Sequence, residues 1–178
     1  MEHKGRTALV TGGTGGLGVV ECEALAREGA NVLMLDVKEG HKAEEVNAKL
    51  PADAGKVRFI ACDLANPQAT KDLAARLDAE VGGIDIVINN AAINPLKPID
   101  GYDLAEWQKV QDVNATAAVA LAMACVPSMK RKGWGQISNT VSAGKGDRRH
   151  DRAHHCYAAG QSDQELFEPL FAAKPSTF

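Results

Sequence analysis

The chain is 178 residues long, 45% hydrophobic and 24% charged, which suits one soluble folded domain with a sizeable core and leaves little room for a second. A formal charge of -3 gives no electrostatic case for nucleic acid or an anionic membrane as partner, and no apolar run approaches the roughly 20 residues of a membrane span. Cys22, Cys62, Cys125 and Cys156 lie far apart with no CxxC pair, and "MEHKGRTALV" has no apolar leader. Reduced thiols and a cytoplasmic location are therefore expected.

In chain order, "RTALVTG" reads as a buried strand. "LGVVECEALAREG" follows as a helix with Leu17, Val20, Ala24 and Leu25 on its apolar face and Gly29 as its stop. "ANVLMLD" is a second strand, and a polar helix is expected over Glu39 to Leu50. "KVRFIACD" is a third strand, and Asn66-Pro67 reads as the cap and first position of a helix running to about Val81. "IDIVINN" is a fourth strand, a long helical region follows Asp103, and "GQISNTVSAG" is a fifth strand. Continuous apolar strands alternating with helices predict an α/β fold, a Rossmann-type doubly wound parallel sheet in three αβα layers with right-handed crossovers. The predicted division is a dinucleotide-binding domain over residues 1–144 and an atypical tail over 145–178, where neither an apolar strand run nor a long amphipathic helix is evident.

"TGGTGGLG", Thr11 to Gly18, joins the first strand to the first helix. A diphosphate needs a tight turn, a bare backbone it can approach, and helix N–H groups aimed at its charge. Gly12, Gly16 and Gly18 suit the first two needs, and the helix starting near Leu17 suits the third. Val19 and Val20 occupy the places a Walker-type loop gives to Lys and Ser/Thr, which excludes that alternative. Asp36, closing "VLMLD", can accept hydrogen bonds from an adenosine ribose and would repel a 2′-phosphate. NAD is thus favoured over NADP, although Lys38 nearby could meet that phosphate.

With these residues in order, the chain resembles the short-chain dehydrogenase/reductase family. The matching pieces are "TGGTGGLG", Asp36, "CDL" at Asp63 and Leu64, "NNAA" from Asn89 to Ala92, "DVNATAA" around Asn114 and "ISNTVSAG" around Ser142. The resemblance runs from about residue 4 to 144. It implies that Thr14 and Leu17 join the glycines as cofactor contacts. Asp63 with Leu64 would hold the adenine edge, and Asn90, Ala91 and Ala92 would line the floor beside the nicotinamide ribose. It further implies that Asn114 bends its helix and orders a water, that Ser142 holds the substrate oxygen, and that a tyrosine followed four residues later by a lysine moves the proton.

In "HHCYAAGQ" the candidate is Tyr157, yet Gln161 stands at the lysine position. Tyr157 also lies fifteen residues after Ser142, farther than the usual family spacing, which lands on His155. Two functions follow. One is hydride transfer between a secondary alcohol or ketone and nicotinamide. The other is a catalytically impaired dinucleotide-binding module or partner subunit. A shifted reading frame after Gly144 is a third explanation of the tail. His150, Asp151, His154, His155 and Cys156 invite a metal, but Arg148, Arg149 and Arg152 oppose a cation and no ligand set is complete. The family's last strands are missing, so "QISNTV" should be an exposed sheet edge that favours marginal stability or self-association. Helices near Trp107 and Met123 resemble the family's dimer-forming region, making a homo-oligomer plausible.

Overall fold

The computed structural model describes residues 1–38, 40–95 and 98–141, together with the backbone of 154–159. Strand β1 (Thr7–Thr11) is buried along its whole length and pairs in parallel with β2 (Asn31–Asp36) on one side and β4 (Ile86–Asn89) on the other. Beyond them β3 (Val57–Ala61) pairs with β2, and β5 (Gly135–Thr140) pairs with β4. The order β3-β2-β1-β4-β5 reverses direction between β1 and β4. In such sheets that switch point opens a crevice beyond the carboxyl ends of the strands.

Side chains alternate across β1, and the two faces carry separate cores. Leu9 joins Leu121, Cys125 and Met129 of α5 (Ala117–Lys132) and Leu77 of α3 (Pro67–Val81). Ala8 and Val10 join Cys22 and Ala26 of α1 (Gly16–Arg27) and Val46 of α2 (Lys42–Asn47). The two covered faces are why the strands read as continuous apolar runs.

The local signals are honoured in detail. The Asn66 side chain accepts from the Ala69 N–H at 3.0 Å, Pro67 opens α3, and Gly82 closes it in the left-handed region at φ 75°. At the amino-terminal end of the sheet, Asp78 accepts from the Ile84 N–H at 2.6 Å and the Ser128 hydroxyl at 2.7 Å. Asp85 accepts from the Thr7 N–H at 2.9 Å and from Lys132 Nζ at 2.7 Å. These buried acids bind α3, α5 and two strands together, on the side opposite the crevice.

Two expectations, the extent of the second helix and the exposed edge at β5, are corrected, and the long helical region expected after Asp103 is present. The second helix is short, Lys42–Asn47, because His41 before it takes a left-handed conformation that breaks any helix from farther upstream. The helical region after Asp103 is one continuous rod, Leu104–Lys132, long and apolar enough to cross a membrane by length and composition. Its two α-helical parts, α4 (Leu104–Gln111) and α5, flank a wider π turn at Asp112–Thr116. Alanines at 117 and 120, with Leu121, Cys125 and Met129, are buried against the sheet and α3. Finally, the tail supplies a strand, β6 (His154–Ala159), antiparallel to β5 with Gly135 opposite Ala159 and Thr140 opposite His154. β5 is therefore not the sheet edge. Backbone hydrogen bonding does not need an apolar run, which is why "HHCYAA" gave no strand signal.

Candidate functional site

A cleft of about 470 Å³ opens at the switch point, bounded by Gly12 and Gly15 after β1, Asp36 after β2, Asp63 after β3 and Asn90 after β4. Of the residues singled out in the sequence, four strand ends bring Gly12, Asp36, Asp63 with Leu64, and Asn90 with Ala91 and Ala92 to the lining; Thr14, Gly16, Leu17, Gly18 and Asn114 are not part of it. Thr11 and Asn90 weld the two halves of the cleft. The Thr11 hydroxyl oxygen accepts from the N–H groups of Asn90 and Ala91, each at 3.0 Å. Asn90 Nδ2 in turn donates to the Thr11 carbonyl at 3.1 Å and the Gly12 carbonyl at 3.3 Å.

The glycines of the loop differ in their reasons. Gly12 sits at φ 63°, and a Cβ on it would lie 2.9 Å from Ala91 Cα. A Cβ on Gly18 would lie 2.1 Å from the Gly12 carbonyl oxygen and 2.8 Å from Gly13 Cα. Both glycines are demanded by the fold. Gly16 is not: a Cβ there would meet nothing within 4 Å. It begins α1, whose cap, Gly15, makes no side-chain bond to the first turn and whose first turn holds no acid. Uncapped N–H groups with open space above them form an anion cradle. Residues Gly16, Leu17 and Gly18 supply that turn.

Asp36 is held firmly. Its Oδ2 accepts from both the N–H and the hydroxyl of Thr14, at 3.2 and 2.7 Å, and its Oδ1 accepts from the Val37 N–H at 2.7 Å. Asp63 uses Oδ1 to accept from the Ala65 N–H at 2.9 Å, closing its own turn while its residue borders the cleft with Leu64. Ala91 and Ala92 form part of the opposite wall. The small side chains leave width for a planar group.

Asn114 lies at the centre of the π turn and is exposed. Both its polar atoms grip the loop after β4: Nδ2 donates to the Ile93 carbonyl at 2.9 Å, and Oδ1 accepts from the Ile93 N–H at 2.8 Å. The extra residue in the turn re-aims this side chain toward the loop. Ser142 lies outside the described residues, and so do Gln161 and the tail histidines' side chains. For Tyr157 only the backbone is described, opposite Ile137 in the β5–β6 pair.

Seven wall residues were not among the site residues read from the sequence: Gly15, Leu35, Val37, Cys62, Ile93, Lys109 and Val113. Lys109 is the cation among the described lining residues. Lys109 and Val113 are four apart on the rod leading into Asn114, a spacing that places both on one face and was available in the sequence. Cys62 is nearly buried, and burial raises its thiol above the ordinary range, so it acts as apolar wall and not as a nucleophile.

Comparisons with known proteins bear on the family and the fold. The family model described as short chain dehydrogenase matches residues 6–161. The D-beta-hydroxybutyrate dehydrogenase of Rhizobium meliloti (strain 1021) is 30% identical over 139 residues, covering 78% of this chain and 54% of that protein. The ketoacyl reductase HetN of Nostoc sp. is 38% identical over 142 residues, covering 79% and 49%. A metagenomic short-chain oxidoreductase solved in complex with NADP superposes with a TM-score of 0.74 at 28% identity, covering 86% of this chain and 69% of the other. The chain spans about half the length of the curated relatives it matches.

Proposed function

This chain belongs to the short-chain dehydrogenase family, and on that premise we propose that it binds a nicotinamide dinucleotide, NAD in preference to NADP, in the cleft beyond β1 and β4. The observation that carries the reading is the uncapped start of α1, where Gly15 lines the cleft together with Asp36 and a Cβ on the next residue, Gly16, would meet nothing within 4 Å. The glycine at 16 is unnecessary for the fold and is suited to a ligand's approach.

In this reading the first turn of α1, with Gly12, Gly16, Leu17 and Gly18, holds the diphosphate through N–H groups and the helix dipole. Asp36 accepts from the adenosine ribose, and Asp63 with Leu64 flanks the adenine. Asn90, Ala91 and Ala92 form the floor toward the nicotinamide, and Asn114 keeps that floor in place through Ile93. When bound, the dinucleotide supplies a hydride donor or acceptor, and the substrate class would be a secondary alcohol or ketone. Ser142 would hold the substrate oxygen and Tyr157 would move its proton. Gln161, standing where the family resemblance puts a lysine, brings no cation to favour the phenolate of Tyr157.

A second reading has specific support: a dinucleotide-binding module without turnover. Gln161 removes the charge that would activate Tyr157. The backbone register also sets Tyr157 opposite Ile137, three residues short of Thr140 at the carboxyl end of β5, roughly 10 Å along the strand from the ends that form the cleft. Leu104, Trp107, Val119 and Met123 are exposed on the Leu104–Lys132 rod and support self-association, within a cytoplasmic protein.

The test is a screen of secondary alcohols and ketones, followed by nicotinamide absorbance, with the wild type and Gln161→Lys. Turnover by the wild type that Gln161→Lys increases supports the oxidoreductase. Saturable nucleotide binding with no turnover by either supports the module.

A further inference from the structure

We propose that Thr14 is the positioning residue that fixes the Asp36 carboxylate in the cleft and so sets the discrimination between NAD and NADP; this rests on the dinucleotide reading above. Two donors of one residue, the Thr14 N–H and hydroxyl, converge on the same carboxylate oxygen, at 3.2 and 2.7 Å. The Val37 N–H takes the other oxygen at 2.7 Å. A carboxylate offers about four acceptor positions, so three are spent within the protein and one, on Oδ1, remains. Asp36 closes a strand and is half-buried, and without the hydroxyl its side chain could turn toward solvent.

The loop and the strand end hold one another by a second bond, from the Gly13 N–H to the Leu35 carbonyl at 3.0 Å. Loop position therefore does not depend on the Thr14 hydroxyl. What depends on it is the shorter of the two Thr14 bonds that aim the negative charge, at 2.7 Å, while the N–H bonds from Thr14 and Val37 remain. The charged residues lining the cleft beside Asp36 are Asp63 and Lys109, and Lys38, two residues beyond Asp36, is exposed. A ligand ribose with free hydroxyls can donate to the remaining Oδ1 position. A 2′-phosphate, which only accepts, meets a fixed carboxylate with nothing to donate. If Asp36 turns away, Lys38 becomes the nearest charge along the chain, and the discrimination should collapse.

The experiment is fluorescence titration of the full chain with NADH and with NADPH, for the wild type, Thr14→Ser, Thr14→Val, Thr14→Ala and Asp36→Ala, with thermal melts of each. The expected wild-type preference for NADH is at least tenfold. Thr14→Ser keeps it, because a hydroxyl is retained. Thr14→Val and Thr14→Ala shrink the ratio at least threefold while their melts stay close to the wild type. Thr14→Val adds nothing on the Asp36→Ala background, as a shared pathway requires. An unchanged NADH/NADPH ratio in both Thr14→Val and Thr14→Ala overturns this inference and leaves the dinucleotide reading standing. A wild-type preference for NADPH overturns this inference together with the proposed NAD preference and leaves only dinucleotide binding standing. Failure of the folded wild type to bind either nucleotide overturns both.

Discussion

Gly16 and Gly18 are two residues apart, and the same added methyl should act on them in opposite ways. At Gly16 the new Cβ has nothing within 4 Å, and the residue is the first of α1 with no positive φ. Alanine restricts the unfolded chain and favours the helix, so Gly16→Ala should be stability-neutral or stabilising by up to about 1 kcal/mol. For a domain of this size that is a rise of roughly 2–4 °C in midpoint. At Gly18 the Cβ would be 2.1 Å from a backbone oxygen and 2.8 Å from a backbone carbon. No side-chain rotation relieves that, and the loop and helix must separate. Gly18→Ala should cost about 1–3 kcal/mol, the range for overfilled cores. Urea unfolding followed by circular dichroism measures both. Nucleotide binding should fall in both, by at least tenfold in Gly16→Ala, about 1.4 kcal/mol. A Gly16→Ala protein that is as stable as the wild type and still binds NADH unchanged would refute the idea that this space belongs to a diphosphate. A stable Gly18→Ala would refute the packing account.

Other outcomes follow from the same geometry. Asp78→Ala strands the buried Ile84 N–H, leaves the Ser128 hydroxyl its bond to the Cys125 carbonyl at 2.9 Å, and should cost about 1–3 kcal/mol, a midpoint drop of roughly 2–12 °C; Ser128→Ala should be milder because the Ile84 bond survives. Asn114→Ala releases both bonds to Ile93 and should cost about 1 kcal/mol in urea unfolding while making the loop after β4 exchange its amide hydrogens faster. Burial, aided by Glu21 and Asp78 respectively, pushes the thiols of Cys22 and Cys125 up to about 12. Their folded-state values lie above the unfolded value near 8.5, so their stabilising contribution is intact below about pH 8.5 and is lost as pH rises toward 12. The slope should reach on the order of 1 kcal/mol per pH unit for each thiol. Iodoacetamide at pH 8 should leave both unlabelled in the native protein and label both in urea, as read by mass spectrometry; rapid native labelling would contradict their burial.

Much of this architecture was legible because the signals are local. Asn66-Pro67 announced the start of α3 through capping chemistry, and Gly82 ended it. The apolar runs around Leu9, Met34 and Val87 announced a sheet buried on both faces. The glycine loop and Asp36 were legible for the same reason: each sits at the end of a strand where the chain must turn. What stayed hidden depends on distant partners. The family resemblance implied that Asn114 bends its helix, but the form of the bend, a π turn at Asp112–Thr116 with Asn114 reaching back to Ile93, involves a partner 21 residues upstream. The wall positions of Cys62, Lys109 and Val113 arise only when strand and helix ends converge. The β6 pairing is a backbone affair that side-chain periodicity does not encode. Thr14 was readable as a loop residue, but its double hold on Asp36 needed the β1 and β2 ends side by side.

Calorimetric titration of the whole folded chain with NADH at neutral pH and low salt bears most directly on whether the crevice between β1 and β4 is a dinucleotide site. Saturable heat fitting one nucleotide per chain is the predicted result. A folded chain that shows no saturable heat with millimolar NADH or NADPH would contradict it.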